Sequence, residues 1–220
     1  MIHNDIPILI AVGPLNQGKS RLGPALSGES RRRLILAMLE DVLLAITQHS
    51  HGPVFVVTPD PAVDLVAMSY GAHIIRDRGL GTNAAILEAF ADEQITNAMA
   101  VLIIQGDLPQ ITFEHVLMCL DALSEEERIV LLVAGDDGGT SVLGIKPPTA
   151  IEIAFGSESG RKHREHALQT GITIRELSIA ALASDVDTVN DLESVRASVG
   201  PTTASILEEL TLHTEDNTTP

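Results

Sequence analysis

The sequence predicts a single α/β domain in which helices cover both faces of a mostly parallel, twisted sheet. Its 220 residues are 45% apolar, which is enough for one domain of ordinary size to bury a full core. Short aliphatic runs alternate along the chain with helical patterns of roughly 10 to 20 residues, as in strand–helix units on a parallel sheet. Most of these runs have Gly, Pro or Asp close to one end. Together these observations favour a Rossmann-like arrangement.

Seven aliphatic runs are predicted to be strands, because short runs bounded by turn residues are typical of buried strands. They are Ile8 to Val12, Val54 to Thr58, His73 to Arg76, Val101 to Gln105, Ile129 to Ala134, Ser141 to Ile145 and Thr173 to Leu177.

Longer segments between these runs have the pattern of helices. They run from about Glu29 to Gln48, Pro61 to Ser69, Asn83 to Glu93, Phe113 to Leu123, Arg161 to Thr170 and Asn190 to Val199. Thr82 and Thr112 are predicted N-caps, and Pro61 suits the first position of a helix. One more short helix is expected over Ala204 to Leu212. The domain is therefore predicted to span residues 1–212, and the polar residues 213–220 are expected to form a disordered tail.

The strong negative charge excludes several classes of partner. Lys and Arg number 14 against 30 Asp and Glu, a formal net charge of −16, and such a chain repels nucleic acids and anionic membrane surfaces. With no Trp, one Tyr and four Phe, the chain also lacks a stacking platform for single strands. Ten of the 14 basic residues fall in three islands, at 19–33, 76–78 and 161–164. The basic residues beside glycine-rich turns are candidate anion sites, whereas Arg31 to Arg33 suit a solvated helix face.

The remaining composition fits the interior of a cell. Cys119 stands in an apolar stretch of a predicted helix and is expected to be a buried thiol, and a single cysteine allows no disulfide within the chain. No apolar run approaches the roughly 18 residues of a membrane span. We therefore expect a cytoplasmic protein with neither a membrane nor a nucleic-acid partner.

Chemically unusual residues cluster in loops that follow the predicted strands. These loops are residues 13–21, 79–83, 106–109 and 135–140, with one more segment at 185–188. In open α/β sheets, ligands bind where such loops meet, at the carboxyl ends of the strands. The functional site is predicted there.

The first of these loops contains a phosphate-loop pattern, Gly13 to Ser20, with two glycines, Lys and Ser at the required spacing. In a P-loop NTPase the Lys and Ser open a long helix whose N-terminus cradles the phosphates. Here Gly23 and Pro24 follow at once, and proline in the second turn of a helix costs about 3 kcal/mol. The segment is better interpreted as a long loop before a helix that starts near Glu29.

Seven segments, in order along the chain, resemble the phospholactate guanylyltransferase family, which belongs to the MobA-like nucleotidyltransferase superfamily. They are Pro14 to Leu22, Leu39 to Leu43, Gly79 to Ala85, Gly106 to Pro109, Gly139 to Leu143, Phe155 to His163 and Asp185 to Thr188. No single segment is specific for this family, but the occurrence of all seven in the same order is a strong signal for it. The resemblance extends to about Leu192 and implies the nucleotide-diphospho-sugar transferase or MobA-like fold.

The resemblance implies a guanylyltransferase that transfers GMP from GTP to a small phosphorylated carboxylic acid and releases pyrophosphate, in the biosynthesis of coenzyme F-420. Within the family the acid is 2-phospho-L-lactate, phosphoenolpyruvate or 3-phospho-D-glycerate, and the sequence does not decide among them. The product would pass to a downstream transferase, which is a possible transient partner. Joining two anions requires in-line positioning and neutralisation of charge, normally by Mg²⁺ and Lys or Arg.

The resemblance assigns Asp107, Asp185 and Asp187 to Mg²⁺, with two ions expected, and gives catalytic roles to Asp107, Asp187 and Lys19. Hard cations prefer carboxylate oxygens, and residues at i and i+2 of an extended segment point the same way. The structural alternative is that Asp107 caps a turn and that Asp187 is the N-cap of the next helix.

For the nucleotide, the resemblance places Lys19 and Arg21 on the triphosphate. The backbone of residues Val12 to Leu15, which includes Pro14, and the side chain of Asn83 would contact the base or ribose. An Asn amide suits a purine edge because it both donates and accepts. Asn83 could instead cap a helix.

For the second substrate, the resemblance places Thr140, Gly156 and Ser159 at its phosphate. Because Gly156 and Ser159 precede the helix predicted from Arg161, backbone amides and the positive end of the helix dipole would face an anion there. An ordinary glycine turn is the alternative. His163 is not included in the predicted site, since a lone helical His is more often a surface or core residue.

Two positions depart from the family pattern. The family usually has Lys where this chain has Gly13, and Leu where it has Thr82. The first departure removes a cation near the nucleotide, so the roles of Lys19 and Arg21 carry more weight.

Three alternatives remain at this point. One is another MobA-like nucleotidyltransferase with a molybdopterin or sugar phosphate acceptor, although the chain lacks the glycine-rich signature of the molybdenum branch. The others are the P-loop NTPase and a non-catalytic binding protein of the same fold.

Overall fold

The computed structural model describes residues 5–48, 52–135, 137–183 and 186–216. Seven strands form one sheet: β1 Ile8–Ala11, β2 Val54–Thr58, β3 His73–Arg76, β4 Val101–Gln105, β5 Ile129–Ala134, β6 Thr140–Lys146 and β7 Thr173–Glu176. The described helices are α1 Gly28–Thr47, α2 Pro61–Ser69, α3 Thr82–Ala89, α4 Glu93–Thr96, α5 Phe113–Ser124, α6 Ser159–Thr170, α7 Ala180–Ala183, α8 Val189–Val195 and α9 Pro201–Asp216.

The sheet is mixed and mostly parallel, in the order β3-β2-β1-β4-β6-β5-β7. Every neighbouring pair is parallel except those that involve β6, which runs antiparallel to both β4 and β5. Ile104 near the end of β4 pairs with Val142 near the start of β6. The first residue of β6 therefore lies at the edge of the sheet where β1 and β4 end.

The core has two layers because alternate residues of a strand face opposite sides of the sheet. Ile8 and Ile10 of β1 belong to a buried cluster that includes residues of α1, α2, α5, α7, α8 and α9. Leu9 between them belongs to a second cluster with residues of α3, α4 and α6. Helices thus cover both faces, as the sequence predicted.

Most predicted elements are confirmed, and several strands have the predicted bounds. Pro61 occupies the first turn of α2, and Thr112 is the N-cap of α5. Cys119 is buried, and burial raises the pKa of its thiol to about 12. No helix in the described part of the chain is both long and apolar enough to cross a membrane.

The segment predicted as one helix from Asn83 to Glu93 is two helices, α3 and α4. Asp92 is the reason for the break, because its side chain accepts a hydrogen bond from the backbone N–H of Gln94 at 2.8 Å and so caps a new turn. The predicted N-cap at Thr82 is also wrong. Gly81 is the N-cap, at φ 99°, and Thr82 is the first helical residue.

The C-terminal part differs most from the sequence prediction. Helix α8 ends at Val195, and α9 begins at Pro201, three residues before the predicted start. Buried Asp41 explains this start, because its carboxylate accepts hydrogen bonds from the backbone N–H groups of Thr202 (3.0 Å) and Thr203 (2.9 Å). The backbone of 213–216 is helical rather than a disordered tail, and residues 217–220 lie outside the described residues.

Candidate active site

Two adjoining cavities lie at the edge of the sheet where β1 and β4 end. The first, of about 310 Å³, is lined by the loop after β1 and by Asp187. The second, of about 210 Å³, is lined by the segments that precede β6 and α6. Thr82, Gln105 and Asp107 line both cavities and form their common wall. Ligands in the two cavities would therefore meet beside Asp107.

The loop after β1 is held in place by Asp60, a residue that the sequence analysis did not select. The Asp60 carboxylate accepts the backbone N–H of Leu15 at 3.2 Å and that of Ala62, at the start of α2, at 3.0 Å. It also lies 3.7 Å from the guanidinium of Arg32. Pro14 and the buried Leu15 line the first cavity. An Asp before the helix-starting Pro61 was the available signal for Asp60.

Lys19 joins three distant segments of the chain. Its Nζ donates to the carboxylate of Asp107 and to Oδ1 of Asp187 at 2.9 Å, and its side chain is only 6% exposed. Burial lowers the pKa of Lys19, but the two carboxylates outweigh burial and leave that pKa above its ordinary value. Lys19 is therefore an ammonium held between two carboxylates.

The backbone at Lys19 is unusual, since its φ of 50° and ψ of 39° lie in the left-handed region. A residue other than glycine reaches this region at a cost, and such residues cluster at functional sites. The chain then forms one 3-10 turn, Ser20–Leu22, and α1 begins only at Gly28, with Ser27 as its N-cap. The Gly13 to Ser20 pattern is therefore not a P-loop, because no long helix starts at Lys19 and Ser20.

Asp187 binds both basic residues of the first loop. Its Oδ2 lies 3.4 Å from the guanidinium of Arg21, whose side chain is 73% exposed. The backbone N–H of Asp187 donates to the carboxylate of Asp191, and Thr188 is the N-cap of α8. The suggested N-cap role of Asp187 therefore belongs to its neighbour. Asp185, the third predicted metal ligand, lies outside the described residues.

The Asp107 and Asp187 carboxylates form a suitable donor set for a hard cation, because both converge on one positive group. Within the described ranges, no three His, Cys, Asp or Glu side chains form a metal-binding group. Mg²⁺ commonly binds through one or two carboxylates and takes its other ligands from water and substrate phosphates. The pair fits that pattern.

Thr140, Gly156 and Ser159 come together in the lining of the second cavity. Oγ of Ser159 donates to Oγ1 of Thr140 at 3.0 Å, and Nδ1 of His163 lies 3.0 Å from the same oxygen. Gly156 has φ 115°, a conformation that favours glycine. The three residues that sequence placed on one phosphate thus share one cavity.

The start of α6 differs from the prediction in a way that affects this cavity. The helix begins at Ser159, two residues before Arg161. The backbone N–H of Ser159 donates to the carbonyl of Gly156, and that of Gly160 donates to the carbonyl of Gly138. The amide of Ser159, which was expected to face an anion, is therefore already bonded, and the hydroxyl of Thr140 in the cavity lining becomes the more important polar group.

Asn83 makes a different contact from the predicted one. Its side-chain amide donates to the carbonyl of Phe155 at 3.0 Å and accepts the backbone N–H of Phe155 at 2.7 Å. This pair joins the start of α3 to the segment before α6. Asn83 is not among the residues that line either cavity, so its contact with the base or ribose stays a prediction.

Solved structures of low sequence identity share the fold of this chain. A protein from Desulfovibrio desulfuricans, assigned as a nucleotide-diphospho-sugar transferase, superposes with a TM-score of 0.74 at 19% identity over 93% of this chain and 94% of its own. The chain therefore has the fold of a nucleotide-diphospho-sugar transferase.

Sequence comparison defines the family. Residues 6–220 match the family described as guanylyl transferase CofC like, so the chain belongs to that family and is a nucleotidyltransferase. It is 35% identical over 188 residues to the phosphoenolpyruvate guanylyltransferase of Sphaerobacter thermophilus, covering 85% of this chain and 90% of the relative. It is 34% identical over 200 residues to the 3-phospho-D-glycerate guanylyltransferase of Phenylobacterium zucineum, covering 87% of this chain and 90% of the relative.

Proposed function

We propose that the protein transfers GMP from GTP to a small phosphorylated carboxylic acid and releases pyrophosphate. The observation that carries this proposal is the pair of cavities with a common wall at Asp107. The larger one has the Lys19 loop for a nucleotide, and the smaller one has Thr140, Gly156 and Ser159 for a phosphate. The names of the relatives from Sphaerobacter and Phenylobacterium support guanylyl transfer and two of the candidate acids.

The reaction is a displacement at phosphorus. A phosphate oxygen of the acid forms a bond to the α-phosphorus of GTP, the bond from that phosphorus to the bridging oxygen of the β-phosphate breaks, and pyrophosphate leaves with the electron pair. Little covalent help from the protein is needed, so positioning and charge neutralisation supply most of the rate. Placing the two substrates in cavities that share one wall supplies the positioning.

The residues of this chain supply positive charge for the triphosphate and a hydrogen bond for the phosphate of the acid. Lys19 and Arg21 supply positive charge for the triphosphate, with Pro14 and Leu15 shaping the loop beside it. The hydroxyl of Thr140 donates a hydrogen bond to the phosphate of the acid, beside Gly156 and Ser159. Each group is already near its neighbours before a substrate arrives, which limits the reorganisation that binding requires.

Asp107 and Asp187 would hold Mg²⁺. The bound ion would neutralise the negative charge that develops on the phosphate oxygens during transfer. Asp185 is a further proposed ligand from the sequence, and the resemblance implies two ions. The acidic pair is suited to this role because its two carboxylates are already arranged about a positive group.

The biological setting follows from the same proposal. The acid would be phosphoenolpyruvate, 3-phospho-D-glycerate or 2-phospho-L-lactate, and the product would be an activated diphosphate diester in coenzyme F-420 biosynthesis. A downstream transferase that uses this ester is the proposed partner, and the proposed location is the cytoplasm.

The test is an assay of the purified protein with Mg²⁺, GTP and each of the three acids in separate reactions, beside a reaction without acid. We expect acid-dependent pyrophosphate with one acid and a product whose mass equals the acid plus GMP minus water. Replacing GTP by ATP, CTP or UTP tests the base. Orthophosphate release without any acid, or no reaction with any acid and nucleotide, would contradict the proposal.

A pair of variants ties the activity to this site. Asp187→Asn keeps the size of the side chain but removes its charge, and we expect acid-dependent pyrophosphate release to fall at least about 100-fold. Asp92→Asn makes the same change at the N-cap of α4, outside both cavities. This control should keep the activity of the wild type.

A further inference from the structure

His163 lies fully buried behind the second cavity, and both of its ring nitrogens are bonded. Nε2 accepts the backbone N–H of Ala154 at 3.1 Å, and Nδ1 lies 3.0 Å from Oγ1 of Thr140. The ring is 0% exposed, and the ring of Phe155 packs edge-on against it with centroids 5.3 Å apart. The orientation of the imidazole is therefore fixed from three sides.

The contact with Ala154 also fixes the tautomer. A backbone amide can only donate, so Nε2 must present its lone pair, and the proton of a neutral imidazole must then be on Nδ1. Burial, with smaller contributions from the neighbouring His166 and Lys162, lowers the pKa of His163 to about 4, so the ring is neutral near pH 7. The Nδ1–H group consequently donates to Thr140.

This donation determines what the hydroxyl of Thr140 does. A hydroxyl oxygen has two lone pairs and one hydrogen. His163 and Ser159 donate to the two lone pairs, so the hydrogen is the remaining bonding group of Thr140, which lines the second cavity. With the other tautomer, the ring would accept that hydrogen and the hydroxyl could not donate to a ligand.

We propose that His163 is a positioning residue for the acceptor: its ring, held in one tautomer by the amide of Ala154, directs the hydroxyl hydrogen of Thr140 to a phosphate oxygen of the acid. This proposal rests on the proposed function of the second cavity. His163 does not act as a base, because neither of its nitrogens has a free lone pair. Its effect is on binding of the acid and leaves binding of GTP in the other cavity unchanged.

Two substitutions separate the two contacts of the ring. In His163→Gln the side chain reaches the position of Nε2 and still accepts from Ala154, but it has no donor at the position of Nδ1. In His163→Asn the amide nitrogen takes the position of Nδ1 and still donates to Thr140, but the contact with Ala154 is lost. Thr140→Val removes the hydroxyl itself.

Steady-state kinetics with the acid that supports turnover tests the proposal. We expect His163→Gln to raise KM for the acid about tenfold, as for loss of one hydrogen bond to a charged group, with KM for GTP and kcat within about twofold of the wild type. His163→Asn should keep KM for the acid within about threefold. Thr140→Val should also raise it about tenfold, and His163→Gln in that background should add nothing, because the two changes remove the same interaction.

Three results would overturn the proposal: an unchanged KM for the acid in His163→Gln, equal losses for both substrates, or effects of His163→Gln and Thr140→Val that multiply. If His163→Gln does not fold, the kinetics of His163→Asn and Thr140→Val test the proposal instead. A purely structural role predicts that His163→Asn raises KM for the acid and KM for GTP alike. A wild type without acid-dependent pyrophosphate release would instead refute the proposed function.

Discussion

Lys19 shows how one residue combines local strain with long-range electrostatics. Its left-handed backbone directs a long side chain inward, where the Nζ atom meets the carboxylates of Asp107 and Asp187. Without the ammonium the two carboxylates would face each other in a partly buried site. The residue therefore neutralises the two carboxylates, and in the proposed function the same positive charge also faces a phosphate.

Replacing Lys19 by methionine should separate these two roles. We expect Lys19→Met to lower kcat/KM at least about 100-fold, because a positive charge near the reacting phosphate is lost. We also expect a loss of about 1–2 kcal/mol in the free energy of unfolding, since the carboxylates remain about a third exposed and are partly screened.

Thermal denaturation with and without Mg²⁺ completes this test. Mg²⁺ should raise the Tm of Lys19→Met more than that of the wild type, because the carboxylates of the variant no longer share an ammonium. Lys162→Met on α6 is the matched control and should respond like the wild type. Equal Mg²⁺ responses in all three proteins would show that Lys19 and the metal do not use the same carboxylates.

Gly13 offers a gain-of-function prediction at a single residue. It lines the first cavity, and a Cβ built there has no heavy atom within 4 Å. Gly13→Lys, which restores the usual residue of the family, should lower KM for GTP about two- to fivefold, as one exposed charge pair would. Added salt should remove the gain. Gly13→Gln supplies a long side chain without the charge, and an equal gain in that variant would contradict the electrostatic explanation.

The depressed pKa of His163 predicts how stability depends on pH. Burial lowers this pKa to about 4 in the folded protein, below the ordinary value of 6.5. Between pH 6.5 and 4 the unfolded chain therefore binds a proton that the folded chain does not. The free energy of unfolding should fall as the pH decreases through this window, by at most about 1.4 kcal/mol per pH unit, and this residue should have no effect above it.

Urea denaturation of the wild type and His163→Gln at a series of pH values measures that contribution. The carboxylates titrate in both proteins, so only the difference between the two reports on His163. This difference should shrink as the pH is lowered from 6.5 to 4. Parallel pH profiles would mean that the ring is protonated equally in the folded and unfolded states.

Among the elements, α9 is notable because a residue of α1 determines where it begins. Asp41 is 3% exposed, and its carboxylate accepts from the first turn of α9. Gly200 leaves the room for this contact, since a Cβ there would lie 2.4 Å from Cγ of Asp41. The backbone N–H of Gly200 donates to the carbonyl of Pro109 at 2.7 Å, so the same junction also supports the turn that carries Asp107.

Asp41→Asn tests the anchor of this element. Loss of the charge at the helix N-terminus should lower the free energy of unfolding by about 1–2 kcal/mol. Limited proteolysis should also cut the α9 region of the variant faster, because the helix start opens more often. Glu40→Gln removes a charge from the neighbouring position of α1 and should change stability by less than about 0.5 kcal/mol. Similar losses in the two variants would disprove the capping role.

Across the whole molecule, the two cavities draw on different parts of the sheet. The first uses the loop after β1, whereas the second uses segments next to β6 and α6, and the contact between Asn83 and Phe155 ties the two sides together. A molecule that occupies both cavities bridges these parts. The guanylylated acid, which is the proposed product, is such a molecule.

The product should therefore stabilise the fold more than either substrate does. At equal concentration we expect a larger rise in Tm with the product than with GTP or the acid alone, because two linked groups bind with a high effective concentration. Thermal denaturation with purified product, with Mg²⁺ present throughout, measures this. A shift no larger than that with GTP would show that the product does not reach the second cavity.

Sequence patterns predicted the strands and the meeting of the site loops because both depend on local features. Aliphatic runs between turn residues determine strands such as β2 and β4, and the parallel sheet brings the loops of Lys19 and Asp107 to one edge. Features that depend on distant partners were not predictable. The start of α9 depends on Asp41, 161 residues away from Thr202, and Asn83 bonds to Phe155 across 72 residues.

The antiparallel direction of β6 has a consequence for how such enzymes diverge. Because β6 starts at the site edge, the stretch 135–163 holds nearly all of the second cavity's lining that the first cavity does not share. The first cavity, which is the proposed nucleotide site, is assembled from several separated segments. Evolution can therefore exchange one substrate by altering a short contiguous piece of the gene while the rest stays under constraint.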